Sequence, residues 1–204
     1  RDRAFGFYYP DDLAALEAAG AELVPLDLLH DTQLPPLDGL FIGGGFPEAC
    51  LEALEANAAM RTALRAAIEG GLPTYAECGG LMYMAEELAD TEGRVFPMAG
   101  VFPLRMVMRP RFSRLGYRRV RLRRDCFLGR EGDVLYGHEF HYSEPVGNPP
   151  ELECLYALED GREEGYARRN AIGSYVHLHF GRTGGNADHF FHYALNLQTK
   201  KEGI

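Results

Sequence analysis

The apolar residues of this chain follow two spacings, one typical of helices and one typical of strands. Apolar positions three and four residues apart predict helices over residues 11–20, 49–69 and 185–197, with Asn57 dividing the second of them. Short apolar runs bounded by glycine, proline or aspartate predict strands between these helices. These strands are expected at residues 21–26, 38–42 and 72–77. Such alternation is typical of parallel βαβ units, which place functional groups at the carboxyl ends of their strands.

The middle third of the chain has a different pattern. Between residues 100 and 144 helical periodicity is weak, and residues 119–123 alternate strictly between arginine and apolar side chains. This alternation predicts a strand with one solvated face. Two histidine-rich strands are expected at residues 136–143 and 172–181. We therefore predict an α/β fold in which a mostly parallel sheet is flanked by helices, with an added antiparallel β region in the middle third.

Cys78 lies where a predicted strand turns into a predicted helix. The apolar run 72–77 ends at this cysteine, two glycines follow, and apolar residues with helical spacing continue to Leu88. A thiol at such a turn is positioned as in a nucleophile elbow, and the unpaired N–H groups of a helix start favour the thiolate. A small buried residue that closes a strand is the structural alternative. The Cys-Gly-Gly sequence favours the nucleophile.

Composition restricts the class of protein. The chain has 204 residues, of which 46% are apolar, and a net charge of −9, which argues against non-specific nucleic-acid binding. No apolar run approaches the ~20 residues of a membrane span. The four cysteines form no C-x-x-C pair, which is typical of a protein from the reducing cytoplasm. We expect residues 1–204 to form a single domain. Residues 1–9 have the pattern of the end of a strand, so we expect this domain to be the C-terminal part of a longer polypeptide.

A cysteine nucleophile requires a base, and histidine is the usual one. His177 and His179 lie two residues apart in a predicted strand, so both face the same side, and one of them is the candidate base. His138, His141 and Glu139 could join them in a metal cluster. Two histidines three residues apart on a strand point to opposite faces, however, and the helical H-E-x-x-H motif is missing from the sequence. A metal site is therefore the less favoured hypothesis.

The glycines after the strand at 38–42 are candidates for an oxyanion hole. Gly44 or Gly45 could contribute one backbone N–H and Gly79 a second, both directed at the oxygen of a tetrahedral intermediate. A phosphate site is the alternative function of a glycine-rich loop. The sequence contains neither G-x-x-x-x-G-K-[ST] nor a complete G-x-G-x-x-G, so we favour the oxyanion hole.

Arginines are concentrated between residues 105 and 124. Most of them fit a solvated strand face and its loops. Arg109 and Arg111 lie in an irregular Met-Arg-Pro-Arg-Phe stretch and are the candidates for contact with an anionic substrate or an acidic partner domain.

The chain contains four motifs in this order: Phe-Ile-Gly-Gly-Gly-Phe-Pro-Glu48, Ala-Glu-Cys78-Gly-Gly-Leu-Met-Tyr-Met, Gly-His-Glu-Phe-His-Tyr-Ser143 and Ser-Tyr-Val-His177-Leu-His179-Phe. Together they resemble the glutamine amidotransferase domain of cobyrinic acid a,c-diamide synthases, which belongs to the class I (triad) superfamily. The resemblance covers nearly the whole chain, and the histidine-rich third motif is the one that points to the cobyrinate branch.

The resemblance implies glutamine hydrolysis through a glutamyl thioester on Cys78, with His177 as the base and Gly44, Gly45 and Gly79 around the oxyanion. It implies that ammonia passes to a preceding synthetase domain of the same polypeptide. In the family that domain uses ATP and Mg²⁺ to activate the a and c carboxylates of the corrin cobyrinate. No cofactor is expected within residues 1–204, and no nucleic-acid or membrane partner. The sequence leaves self-association into a homo-oligomer open.

One position departs from the class I pattern. Typical members carry His-Pro-Glu, in which the glutamate orients the base, whereas this chain has His179 there. Three arrangements stay open: a Cys–His dyad, an orienting role for His179, and an orienting role for another side chain. The resemblance also places His138, Glu139 and His141 near the site or at the domain interface, without deciding between them.

Two other functions stay open from the sequence. The first is a related amidotransferase that acts on another tetrapyrrole or on a cell-wall precursor with the same machinery. The second is a non-catalytic binding module that retains a relic of the site.

Overall fold

The computed structural model describes residues 2–147, 152–181 and 186–201, the side chains of residues 186 and 197–201 excepted. Its helices are α1 Pro10–Ala18, α2 Leu51–Ala56, α3 Ala58–Glu69, α4 Gly79–Met84 and α5 Asn186–Lys201, with a 3₁₀ helix at Pro47–Ala49. Its strands are β1 Leu40–Ile42, β2 Thr74–Glu77, β3 Ala85–Ala89, β4 Val95–Pro97, β5 Phe102–Met108, β6 Arg114–Leu122, β7 Val134–His141, β8 Ser143–Val146, β9 Glu153–Leu158, β10 Glu163–Arg168, β11 Ala171–Ser174 and β12 His177–Leu178.

The strands form two sheets. The larger has eight strands in the order β1-β2-β11-β10-β9-β6-β7-β12, and the smaller has four in the order β4-β3-β5-β8. In the larger sheet β2 pairs in parallel with β1 and β11, and the other pairs are antiparallel. The α/β class is confirmed. The sheet is mixed rather than mostly parallel, because the antiparallel region continues beyond the middle third through β9, β10 and β12.

The larger sheet is strongly curled. Only Tyr175 and Val176 separate β11 from β12, yet β12 pairs with β7 at the far end of the strand order. The step from Ser174 to His177 spans at most ~10 Å of chain. The two ends of the sheet must therefore approach each other, and this closure brings β12 and the loop after β1 to the same place.

Three predicted elements differ in the structure. Residues 21–26, expected as a strand, have no regular secondary structure. The helix after Cys78 ends at Met84, and the apolar residues beyond it form β3. The strand expected at 172–181 is divided into β11 and β12. The second and third errors arose in buried apolar runs, where burial on all sides removes the periodicity that separates helix from strand. Residues 21–26 are apolar but mostly exposed, so their composition alone suggested a strand.

The first helix begins without a capping side chain. Tyr9 is the N-cap residue, Pro10 occupies the first turn, and no side chain caps the helix. Asp12 is buried instead, and its Oδ1 accepts a hydrogen bond of 2.8 Å from the N–H of Phe180. The acidic residue thus connects α1 to the segment that carries the candidate base.

The core has two clusters. One packs α2, α3 and α4 with the smaller sheet around residues such as Leu64 and Met84. The other lies on the opposite side of the larger sheet, where Val120, Tyr156 and Phe190 are buried together. Among the described residues no helix is long and apolar enough to cross a membrane.

Asn57 provides a test of the break between α2 and α3. Its side chain accepts from the N–H of Met60 at 3.3 Å and donates to the carbonyls of Leu28 at 3.1 Å and Asp31 at 2.8 Å. Because Asn57→Ala removes a helix cap and two further hydrogen bonds, we expect it to lower the free energy of unfolding by about 1–3 kcal/mol.

Denaturant unfolding measures this loss. The matched control is Glu69→Ala at the exposed end of α3, which should change stability by less than ~0.5 kcal/mol. Equal effects of the two substitutions would contradict a capping role for Asn57.

Candidate active site

Cys78 lies at the sharp turn between β2 and α4. Its backbone has φ of 48° and ψ of −102°, a conformation that side chains with a Cβ rarely adopt, and Arg169 is the other described non-glycine residue with positive φ. The N–H of Cys78 donates to the carbonyl of Ser174 at 2.7 Å. Its Sγ lies 3.7 Å from the carbonyl oxygen of Phe140. The predicted nucleophile elbow is therefore present, with a thiol that is mostly buried.

His177 stands at the start of β12 and is held on both sides of its ring. Its Cα pairs with that of His138 on β7, and the two imidazoles stack at 4.8 Å with an interplanar angle of 21°. Phe7 meets the ring edge-on at a centroid distance of 5.2 Å. The side chain is 4% exposed, so solvent reaches it only through the site itself.

The glycine loop after β1 forms the floor under His177. A Cβ at Gly44 would collide with Cε1 of the imidazole, so only glycine lets the ring approach this closely. A Cβ at Gly79 would lie 3.1 Å from the amide nitrogen of Gly45. The structure thus places all three glycines predicted for the oxyanion hole next to one another. Their role in stabilising an oxyanion stays a prediction.

The electrostatics of His177 favour its charged form. Burial alone lowers the pKa of this imidazole, but hydrogen bonding and charge interactions with Cys78 and Glu77 outweigh burial and raise the pKa to about 10. The site can therefore hold a thiolate–imidazolium pair at neutral pH. Such a pair is the reactive form of a cysteine nucleophile with a histidine partner.

Glu77 is a site residue that the sequence reasoning missed. It precedes Cys78, is buried, and places Oε2 3.4 Å from Nδ1 of His177. Its Oε1 accepts a hydrogen bond of 2.9 Å from the N–H of Leu178. A signal was available, because a carboxylate at the end of an otherwise apolar strand must find a partner when it is buried.

His138 and His179 lie beside the cysteine–histidine pair with Tyr9, a second residue that the sequence reasoning missed. The Tyr9 hydroxyl is 3.0 Å from Nδ1 of His138, and the His179 ring packs on Tyr9 at 4.6 Å. Burial, and then the nearby His177 and His179, lower the pKa of His138 to about 4. His138 is therefore neutral at pH 7, and it packs as an uncharged ring between Tyr9 and His177.

Glu139 and His141 point to the opposite face of β7. Glu139 forms ion pairs with Arg118 and Arg162, and although its burial raises its pKa, the neighbouring His141 and the hydrogen bonds from these arginines hold that pKa well below its usual range. His141 stacks on Tyr175 at 3.8 Å. Both side chains thus lie in a buried polar cluster, away from the face that carries His138. Their predicted contact with substrate or partner stays a prediction.

The two arginines singled out from the sequence are exposed. Arg109 pairs with Glu144 on β8 at 2.5 Å, and Arg111 forms no ion pair with any described residue. Phe112 next to them stacks on Tyr142 at 4.3 Å. The structure does not bring either guanidinium into the cysteine–histidine pair, and their proposed docking role stays a prediction. Within the described part of the chain, no group of three or more histidine, cysteine or acidic side chains could hold a metal ion.

Known proteins resemble this chain in sequence. The family model of the CobB/CobQ-like glutamine amidotransferase domain matches residues 1–184. Cobyrinate a,c-diamide synthase of Archaeoglobus fulgidus is 42% identical over 185 residues, which are 88% of this chain and 40% of that protein. The enzyme of the same name from Caldanaerobacter subterraneus is 38% identical and matches 100% of this chain and 42% of its own length. The chain therefore spans about two fifths of the curated relatives it matches.

Solved structures agree on the fold. A crystal structure of a glutamine amidotransferase superposes with a TM-score of 0.63 at 21% identity, covering 92% of each chain. A chain of the PurLQS structure from Thermotoga maritima gives 0.65 at 16% identity, again covering 92% of each chain. The fold is thus that of class I glutamine amidotransferases, and the chain belongs to the CobB/CobQ-like glutamine amidotransferase domain family.

Proposed function

We propose that this chain is the glutamine-hydrolysing part of a cobyrinate a,c-diamide synthase and supplies ammonia for amidation of the a and c carboxylates. The observation that carries the proposal is the position of Cys78, on a strained elbow beside His177, with the next residue, Gly79, against Gly45 of the glycine loop. Relatives named cobyrinate a,c-diamide synthase at about 40% identity support the substrate class.

In the proposed first half-reaction, Sγ of Cys78 attacks the amide carbon of glutamine as a thiolate. The carbonyl π electrons move to oxygen, and the N–H groups of the glycine loop and of Gly79 stabilise the oxyanion. When the tetrahedral intermediate collapses, the C–N bond breaks and the His177 imidazolium gives its proton to the leaving nitrogen. The products are ammonia and a γ-glutamyl thioester on Cys78.

In the second half-reaction water attacks the thioester carbon. His177, now neutral, takes the proton from water while the hydroxide adds to the carbonyl. Collapse of this intermediate breaks the C–S bond and releases glutamate. The thiolate and the imidazolium are thereby restored, so the pair acts as base and acid in turn without an external proton donor.

Activation of the corrin carboxylates belongs to the remainder of the longer polypeptide in this proposal. ATP and Mg²⁺ are placed there as well in this proposal, since the sequence of this chain contains neither G-x-x-x-x-G-K-[ST] nor a complete G-x-G-x-x-G. Glutamine is thus the substrate of this chain, and cobyrinate is the acceptor elsewhere. Four free cysteines fit the reducing cytoplasm as the compartment.

An exposed apolar surface beside the site fits the synthetase part as its partner. Phe112, Leu115, Tyr117 and Phe140, here called the aromatic face, lie on or next to the outer side of β6 and β7, and Tyr117 is 86% exposed. A contiguous patch of this type is typical of an interaction surface. It borders the cysteine because the carbonyl of Phe140 contacts Sγ of Cys78. A synthetase part docked on the aromatic face would receive ammonia close to the cysteine at which it forms.

The first test replaces the nucleophile in the full-length polypeptide. We expect Cys78→Ala to abolish glutamine-dependent amidation of cobyrinate, because no thioester can form, while amidation with added ammonia persists. Product formation from each nitrogen source measures both activities. Loss of both together would show that Cys78 holds the structure rather than performing catalysis.

The second test compares the four thiols. Cys50 is buried and burial raises the thiol pKa of Cys126 and Cys154, so a glutamine-mimicking chloroketone should label Cys78 at least about tenfold faster at pH 7. Peptide mass spectrometry identifies the labelled residue. Labelling of Cys126 or Cys154 before Cys78 would favour a non-catalytic module.

The third test concerns the aromatic face. Leu115→Asp with Tyr117→Ser should uncouple the two activities in the full-length polypeptide, so that glutamine is still hydrolysed but amidation per glutamine falls, because ammonia escapes to solvent. The matched control is Val95→Ser, an exposed apolar residue on β4 in the other sheet. Unchanged coupling in the double variant would place the synthetase part on another surface.

A further inference from the structure

The carboxylate of Glu77 and the imidazole of His177 form a buried pair. Both side chains are less than 5% exposed, and Oε2 of Glu77 stands 3.4 Å from Nδ1 of His177. Within the described part of the chain no group other than Glu77 engages this nitrogen. A buried ring nitrogen with a carboxylate at this distance and no competing group is directed toward that carboxylate.

The other contacts of the ring fix its plane and leave its rotation to Glu77. His138 stacks on one face, Phe7 meets the ring edge-on, and Gly44 lies against Cε1. None of these groups carries a charge at neutral pH, since the pKa of His138 is lowered to about 4 by burial and by its histidine neighbours. Glu77 and Cys78 are therefore the described groups whose charge can act on this ring.

Two other residues could have oriented the base, and the structure places both elsewhere. His179, at the position of the class I glutamate, packs its ring on Tyr9, and its N–H donates to the carbonyl of Tyr136 at 3.0 Å. Asp12 is a buried carboxylate, but its Oδ1 accepts from the N–H of Phe180 at 2.8 Å.

We propose that Glu77 is the positioning residue of His177, so that the carboxylate of the triad comes from the residue before the nucleophile instead of the second residue after the base. Glu77 keeps the proton on Nδ1 and leaves Nε2 to exchange a proton with Cys78. When Sγ gives up its proton to Nε2, the positive charge forms next to a fixed carboxylate and is stabilised there.

The elbow explains how neighbouring residues can serve one histidine from two sides. Glu77 ends β2, where its Cα pairs with that of Ser174 on β11, and Cys78 leaves the strand with a left-handed backbone. The Oε1 atom of Glu77 is already fixed by the N–H of Leu178, the residue after the base. One carboxylate thus holds both the ring and the backbone next to it.

The inference rests on the proposed glutaminase activity, and Glu77→Gln in the full-length polypeptide tests it. The amide keeps an acceptor for the N–H of Leu178 and removes the charge. We expect kcat for glutamine hydrolysis to fall about 100-fold to 10,000-fold with little change in KM, because the charge acts in the transition state. The basic limb of the rate–pH profile should move to lower pH, since loss of the carboxylate lowers the pKa of His177.

Alkylation supplies a readout that needs no glutamine. Iodoacetamide should modify Cys78 more slowly at pH 7 in Glu77→Gln, because the imidazolium that pairs with the thiolate is less stable. Glu77→Asp restores the charge one methylene further away. It should recover part of the alkylation rate and move the basic limb of the rate–pH profile part of the way back. The matched control is Asp90→Asn at the turn between β3 and β4 of the other sheet, which also removes a carboxylate from a backbone N–H, that of Arg94, and should leave the profile in place.

The outcomes separate the two proposals. A full-length wild-type protein without glutaminase activity would overturn the proposed function and this inference with it. Normal glutaminase activity in wild type together with an unchanged pH profile and alkylation rate in Glu77→Gln would overturn the inference alone. Should Glu77→Gln fail to fold, the Nδ1 proton of His177 in the wild-type protein decides: a downfield resonance supports the pair, and its absence below pH 8 contradicts it.

Discussion

The contact between the His177 imidazole and Gly44 is the one on which the site depends. Gly44 follows β1 and His177 opens β12, and these strands are the two ends of the eight-stranded sheet. The contact therefore exists only because the sheet curls until its edges meet. Any side chain at Gly44 would occupy the volume of the ring and separate the base from the elbow. The absence of a side chain at this one position therefore allows the two edges of the sheet to meet.

Buried carboxylates hold the segment that carries the base. This segment has a β ladder of only two residues in β12, so the N–H groups around it need other acceptors. Glu164 accepts a hydrogen bond from the N–H of Tyr175 at 2.7 Å, Glu77 accepts one from Leu178 at 2.9 Å, and Asp12 accepts one from Phe180 at 2.8 Å.

Burial raises the pKa of Glu164 to about 7 and that of Asp12 to about 6, although backbone hydrogen bonds act in the opposite direction. Since both pKa values lie above those of the unfolded chain, these two groups contribute stability that is lost as pH rises from about 4 to about 7. The geometry of the base is thus obtained at some expense in stability at neutral pH.

The sequence was sufficient for the parts of the site that depend on local pattern. The elbow at Cys78, the glycine loop and the division of the helix at Asn57 each follow from a few consecutive residues. The need of Glu77 for a partner could be read from the sequence, but the identity of that partner and the split of the 172–181 run could not, because both depend on the closure of the sheet. The departure at His179 pointed to the missing carboxylate, but only the folded chain shows which element supplies it.

Strand β7 shows why a compact motif need not form a compact site. Its residues 138–141 place three titratable groups and a phenylalanine in a row, yet period two sends His138 and Phe140 to the outer face and Glu139 and His141 inward. The inner pair is fixed by the ion pairs of Glu139 with Arg118 and Arg162. A slip of one residue would bury His138 and expose this ion cluster, so the cluster holds β7 in register. Glu139 and His141 therefore act on the site indirectly, because they keep His138 against His177.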